Sequence, residues 1–417
     1  MISNPEGADL QQSNPASQES APAALSDLLV LDLTRVLAGP TCTMLLGDFG
    51  ARIIKVEQPG RGDETRQWGP PFTPSGQSAY FLCANRNKQS ITLNLKTEAG
   101  RTILRDLARR ADVLVENFKA GTMEALDLGY QALRTLNPRL IYCAITGYGQ
   151  TGPYRDRPGY DTVIQAQGGL MSITGPADGQ PYKVGVAIAD LLAGLHATAA
   201  ILAALHYRER SGEGQYIDIA LFDAMLGSLA NVASAHLISG HPPQRYGNAH
   251  ATIVPYQPFA TADGWLMLAV GNDGQFTALC QALERPEWSN DERFATNPAR
   301  VANRAVLVPL LEAELRSKPT VVWMEILLSL GVPCGPVNDI PTALADPQAQ
   351  AREMVQTLRH SADGPLRIVG PVAKLSATPA QITSAPPQLG EHTEEVLREL
   401  LGYNETSIAA LRAEGAV

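Results

Sequence analysis

Short apolar runs alternate with helix-forming segments from residue 28 to residue 145, and this alternation limits the fold more than any other feature. Leu28-Leu29-Val30-Leu31-Asp32-Leu33 reads as a strand. Thr34–Gly39 makes a turn, and Pro40 opens a helix running to Asp48. Proline suits a first helical position because the N–H it lacks would have no intrahelical acceptor there. Arg52–Glu57 reads as the next strand. Strand, helix and strand within about thirty residues form a βαβ unit, which builds parallel strands with a right-handed crossover. Further strands are expected at Ser90–Leu95, Asp112–Glu116, Leu140–Ile145 and Gln215–Ala220, with a helix over 97–110. The fold class is α/β, a Rossmann-like domain on a parallel sheet. The turn-rich residues 58–79 form a loop long enough to be functional.

A chain of 417 residues is expected to form more than one domain. The expected divisions are a disordered tail over 1–25, a large α/β domain over 26–240, a linker at 241–252 and a smaller α+β domain over 253–337. A second linker at 338–350 leads to a C-terminal part, 351–417. The tail is rich in Ser, Pro, Gln, Asn and Ala, with neither the basic start and apolar core of a secretory signal nor the arginines of a transit peptide.

The net charge of -9 and pI near 5.4 argue against nucleic acid or an anionic membrane as the main partner. His196 and His206 interrupt the longest apolar run, so no membrane span is expected. Five cysteines without a CxxC spacing indicate free thiols, and no histidine cluster indicates a metal. A cytoplasmic location follows as the expectation.

Val184–Gly194 delivers one carboxylate, Asp190, to the start of a helix rich in Ala and Leu that ends at Ser211-Gly212. A helix apolar nearly all round is expected to be buried. Asp190 has two compatible readings. Aspartate is a favoured N-cap, and the residues alone favour that role. A carboxylate at the positive end of a helix can also serve as a nucleophile. The apolar stretches 191–205 and 221–238 offer more surface than one chain needs to bury, which points to an obligate homodimer.

Gly147-Tyr148-Gly149-Gln150-Thr151-Gly152 satisfies the dinucleotide pattern GxGxxG. The pattern requires a helix to open at its glycines, whereas Pro153 and Pro158 follow here. A loop whose glycines permit close backbone approach is the better reading.

Several blocks together resemble the class III CoA-transferase family, which includes formyl-CoA transferase, carnitine CoA-transferases and α-methylacyl-CoA racemases. They are LDLTRVLAGPTCTMLLGDFGARIIKVEQPGRGDETR, NRNKQSITLNLK, ADVLVENF, ITGYGQTGPY, GYDTVIQAQGGLMSITG, DLLAGLHATAAILAAL, VPCGPV and LGEHTEEVL. WGPPF and YGNAHATIVPYQPF look most like the branch that moves CoA between succinate and other dicarboxylates such as glutarate.

The resemblance implies an interlocked homodimer whose large domain combines the N- and C-terminal parts. It implies acyl-CoA as substrate, with no tightly bound cofactor. Asp190 takes the nucleophile's place, and backbone N–H groups near its helix start would stabilise oxyanions. CoA contacts carry over to Leu37, Ala38, Leu93, Lys96, Asn117, Phe118 and Tyr160. Gln58 and Ala125 stand where formyl-CoA transferase has arginines, so the ADP phosphates are assigned instead to Arg35, Lys55, Arg86 or Lys88. Arg35 and the loop residues Gly247, Asn248 and His250 are the substrate-binding candidates. Asp161 is the alternative nucleophile.

Two other functions compete. A racemase needs an acid/base pair, but Tyr160 replaces the histidine of that branch's GHD segment, and a phenol is a poor base at neutral pH. A NAD-dependent oxidoreductase rests on GYGQTG alone.

Overall fold

β1 (Leu29–Asp32), β2 (Arg52–Glu57), β3 (Lys88–Thr92), β4 (Val113–Glu116), β5 (Ile141–Thr146) and β6 (Tyr216–Ala220) form one parallel sheet in the order β3-β2-β1-β4-β5-β6. The structure is a computed structural model that describes residues 23–417. Helices cover both faces of the sheet, which explains why its central strands are almost continuously apolar. Val30, Leu31, Val113, Leu114 and Val115 are all fully buried. Most strand ends fall within one residue of the expected positions, the usual uncertainty at element ends, while β3 lies two to three residues earlier than expected.

One face packs against the helix Ala38–Asp48 and the long helix Ile188–Ser211, through Cys42, Leu46, Ala193, Ala197 and Ile201. Gly194 lets the two helices touch: a Cβ there would lie 2.6 Å from the Ala38 carbonyl oxygen. The other face carries Ile103, Leu104 and Leu107, together with Val396, Leu397 and Ile408 from the end of the chain. Thr393 Oγ1 accepts the Thr92 N–H at 3.0 Å, tying that C-terminal segment to the end of β3.

β7 (Tyr256–Ala260), β8 (Trp265–Ala269) and β9 (Cys334–Pro336) form a separate antiparallel sheet. Phe259, Phe276, Leu307, Leu311 and Trp323 build its core. β10 (Val355–His360) and β11 (Gly364–Val369) make a hairpin, and Asp363 at its turn bonds Thr73 and Ser75 in the long loop after β2.

Three expectations need qualification. Most of the expected tail lies outside the described residues, but Leu25 donates its N–H to Phe49 O at 3.0 Å and packs against the core. The long helix is only half buried, because Leu195, Leu202 and Tyr207 form an uncovered stripe on its outer side. That helix also has the length and hydropathy to cross a membrane, although its inner side packs into the fold. As the sequence reading expects, no helix opens at the GYGQTG glycines. The next helix starts at Asp161, so a dinucleotide-binding turn is absent there. A Cβ on Gly147 would lie 2.5 Å from Gly159 Cα, so its glycine serves a backbone-to-backbone contact.

Candidate active site

The sheet order turns in opposite directions from β1, one way to β2 and the other to β4. Ligands of open parallel sheets occupy the crevice beyond the strands' carboxyl ends at such a switch point. A cavity of about 460 Å³ lies there, lined by Arg35, Val36 and Ala38 after β1 and by Asn117–Ala120 after β4. Thr146 and Gly147 at the end of β5, Tyr160 and Asp190 complete its floor and far side. A second cavity of about 200 Å³ shares Arg35, Glu64 and Phe118 with the first. It extends past the loops after β2 and β3, where Gln58, Arg61, Leu93 and Lys96 line it. A wider depression of about 990 Å³ around Thr162–Lys183 is open and contains no carboxylate.

The turn after β1 is held from several sides. Val36 has φ +69°, a left-handed conformation that is costly for a β-branched residue unless neighbours enforce it. Its N–H donates to Asp63 Oδ1 at 3.2 Å. Lys55 Nζ lies 3.1 Å from the other Asp63 oxygen and donates to the Thr34 carbonyl at 2.7 Å. Asn117 clamps Arg35, accepting its N–H at 2.9 Å and donating to its carbonyl at 2.7 Å. The Asn117 amide is thus occupied in shaping the cavity wall.

Asp190 is the third residue of its helix and makes no cap bond with its own side chain. Asp161 is the cap instead: its Oδ1 accepts the Ala189 N–H at 2.7 Å and lies 3.4 Å from Asp190 N. Gln165 fixes Asp161 by donating to its Oδ2 at 2.6 Å, while accepting the Val184 N–H at 2.9 Å. This corrects two expectations. Asp190 does not cap, and the N–H groups at its helix start are occupied by Asp161 rather than facing a substrate oxyanion. The Asp190 side chain lines the cavity and has no hydrogen-bond partner among the described residues. Burial first, and the charge of Asp161 second, push its carboxyl up to about 7. Ala38 begins another helix at this cavity, and N–H groups in a first turn lack intrahelical acceptors.

Of the CoA contacts implied by resemblance, Ala38, Asn117, Phe118 and Tyr160 line the larger cavity, and Leu93 and Lys96 line the smaller. Leu37 lies just behind the wall, buried. Gln58 lines the smaller cavity; Ala125 does not, but its neighbour Leu126 does.

The assignment of Lys55, Arg86 and Lys88 to phosphate is overturned. All three are buried, and a buried cation requires a partner. Lys55 pairs with Asp63 at 3.1 Å, Arg86 with Asp48 at 2.6 Å and Lys88 with Asp32 at 3.0 Å. Burial lowers the Lys88 ammonium to about 8 despite the opposing pull of Asp32. Burial would raise Asp32, but Lys88, Lys55 and two hydroxyls outweigh it and hold that carboxyl well below its ordinary range. Of the four, only Arg35 lines the cavities, stacked 5.3 Å from the Phe118 ring centroid and paired with Glu64 at 3.1 Å.

Gly247, Asn248 and His250 line neither cavity within one chain. His250 is tied to the smaller sheet's edge: its N–H donates to Tyr256 O, and its carbonyl accepts from Arg304. Sequence reading passed over Lys119, Arg155 and Arg157, which bring positive charge to the larger cavity. For Lys119, the position just beyond the end of β4 was the available signal.

Comparison with known proteins agrees with this arrangement. The family model described as CoA-transferase family III matches residues 25–393. The chain is 47% identical over 393 residues to a succinate–glutarate CoA-transferase of Agrobacterium fabrum, covering 92% of this chain and 97% of that protein. It is 43% identical over 411 residues to the mouse (Mus musculus) succinyl-CoA:glutarate CoA-transferase, covering 99% and 94% respectively. The crystal structure of a CAIB/BAIF family protein from Brucella suis superposes with a TM-score of 0.83 at 46% identity, covering 91% of this chain and all of that one. With a parallel sheet, a switch-point cavity and these relatives, the chain belongs to CoA-transferase family III and is a CoA-transferase.

Proposed function

We propose that this enzyme moves CoA from succinyl-CoA to a dicarboxylate such as glutarate, with Asp190 as the nucleophile. The observation that carries this reading is a buried carboxylate lining the switch-point cavity, its side chain without a hydrogen bond among the described residues, while Asp161 caps its helix. Relatives named for succinyl-CoA and glutarate support the substrate pair.

An oxygen of ionised Asp190 attacks the thioester carbonyl, the C–S bond breaks, and CoA leaves as thiolate. The thiolate attacks the aspartyl carbon of the resulting mixed anhydride, breaking its C–O bond and releasing succinate. Glutarate then attacks the aspartyl-CoA thioester, expelling the thiolate. The thiolate finally attacks the glutaryl carbon and restores the Asp190 carboxylate. One activated acyl group replaces another throughout, which is the advantage of covalent catalysis. First-turn N–H groups at Ala38 and Gly39 are the donors proposed for the tetrahedral oxyanions. Ala38, Leu93, Lys96, Asn117, Phe118 and Tyr160 surround the CoA path in this reading, with Leu37 supporting the wall. Racemisation has no counterpart to the histidine it needs at Tyr160.

The proposed assembly is a homodimer with two domains per chain, the second linker returning residues 351–417 to the large domain, in the cytoplasm. Leu195, Leu202, Leu226, Leu237 and Ile238 supply the uncovered apolar surface, with Leu237 82% and Ile238 87% exposed in one chain. In this assembly Gly247, Asn248 and His250 act on the distal carboxylate from the partner chain.

Incubation with succinyl-CoA alone tests the nucleophile. Hydroxylamine added to that mixture should leave a hydroxamate on Asp190, found by peptide mass, and Asp190→Asn should abolish it. Turnover by folded Asp190→Asn within about tenfold of wild type, which is about 1.4 kcal/mol of barrier, would place the nucleophile elsewhere. Comparable turnover with glutarate and hexanoate would remove the dicarboxylate preference.

A further inference from the structure

The charges around the smaller cavity are unevenly committed. Three carboxylates line it, and each faces a cation: Glu57 pairs with Arg66 at 2.7 Å, Asp63 with Lys55 at 3.1 Å and Glu64 with Arg35 at 3.1 Å. Two of the cations lining the same cavity, Arg61 and Lys96, make no ion pair among the described residues. Both are exposed. Arg61 projects from a tight turn in which Gly62 N–H donates to the Gln58 carbonyl at 2.9 Å, so its backbone is anchored while its charge is free. Gln58 beside it adds hydrogen-bonding capacity without charge.

The direction of a CoA thioester through these cavities follows from Asp190. The acyl end must reach that carboxylate in the larger cavity, so the nucleotide end extends past Arg35 and Phe118 into the smaller one. That end carries a phosphate monoester, which has close to two negative charges at neutral pH. A guanidinium presents donors in a fixed fork suited to phosphate oxygens, and a nearby ammonium adds a point charge.

We propose that Arg61, with Lys96 lining the same cavity, holds the 3′-phosphate of the CoA moiety. The assignment rests on the transferase reading for the direction of the ligand. It makes Arg61 a specificity residue that separates CoA from its 3′-dephosphorylated form.

Titration calorimetry of CoA and 3′-dephospho-CoA on the wild-type protein, Arg61→Ala and Arg61→Lys tests it. Wild type should bind CoA about tenfold or more tightly than dephospho-CoA, the scale of a charge-assisted bidentate contact. Arg61→Ala should lose that preference by weakening CoA while leaving dephospho-CoA nearly unchanged, and Arg61→Lys should restore part of it. Equal weakening of both ligands would place Arg61 on the diphosphate and overturn the proposal, as would a wild type indifferent to the 3′-phosphate. Transfer from succinyl-CoA to glutarate by the same wild-type sample separates the two readings. Transfer without an Arg61-dependent preference removes the phosphate assignment alone. A preference without transfer leaves the phosphate site and removes the proposed reaction.

Discussion

Asp161 caps the helix that carries Asp190: its Oδ1 accepts the Ala189 N–H at 2.7 Å and lies 3.4 Å from the Asp190 nitrogen. Burial raises the carboxyl of the proposed nucleophile to about 7, and the cap's negative charge adds to that rise. One residue thus fixes the local backbone of the other and contributes to its ionisation.

Replacing Asp161 separates these two effects. Asp161→Asn should keep the cap, since asparagine caps about as well as aspartate. It should also remove the repulsion and lower the Asp190 pKa. The rate of donor-only acylation should then reach half its maximum at a lower pH than in wild type. Asp161→Ala removes the acceptor as well and should cost about 1 kcal/mol in denaturant unfolding.

The ionisation of Asp190 should also appear in stability. Its folded pKa, about 7, lies above the ordinary carboxyl value. Between these values the folded protein holds a proton that the unfolded chain has released. Wild type therefore loses stability as pH rises through that window, by about 4 kcal/mol at most. Asp190→Asn has no such titration. Its melting temperature relative to wild type should climb from pH 4 to about pH 7 and level off above; a constant difference would contradict the raised pKa.

Lys88 and Asp32 are both fully buried at 3.0 Å. Lys88→Met should leave the Asp32 charge without its closest cation and destabilise the protein by roughly 3–5 kcal/mol. Urea unfolding at pH 7 measures this, and a loss below about 1 kcal/mol would show that Lys55 alone satisfies Asp32.

Light scattering at micromolar concentration should give twice the 44.6 kDa mass of one chain. Leu195→Asp places a charge on the uncovered side of the long helix, where Leu195 is 52% exposed in one chain. A partner packed there makes that substitution disruptive, so the mass should fall or the protein aggregate. An unchanged monomer in both proteins would dispose of the dimer.

Much of the fold was legible because its signals are local. Leu28–Leu33 and Leu140–Ile145 are short runs with apolar side chains facing both sides of a sheet, and Gly212 marks the end of the long helix through its left-handed φ of +75°. The position of Asp190 early in an Ala- and Leu-rich helix was equally readable. That Asp161 rather than Asp190 caps the helix was not, because capping depends on which acceptor reaches the helix, and Asp161 lies 28 residues before Ala189, whose N–H it accepts.

The sequence by itself determined a parallel α/β sheet, the strand ends that carry the site and one carboxylate at the start of the long helix. Periodicity and turn residues express these features over a few positions at a time. Only the tertiary structure decided which charges were available. Lys88 meets Asp32 across 56 residues, and Lys55 meets the carboxylate that holds Val36, so neither is free for a ligand. Arg61 lies in the same region and remains unpaired among the described residues. A charge looks alike in sequence whether it is neutralised or free, because the partner that decides is brought in by the fold, and burial makes that partner obligatory.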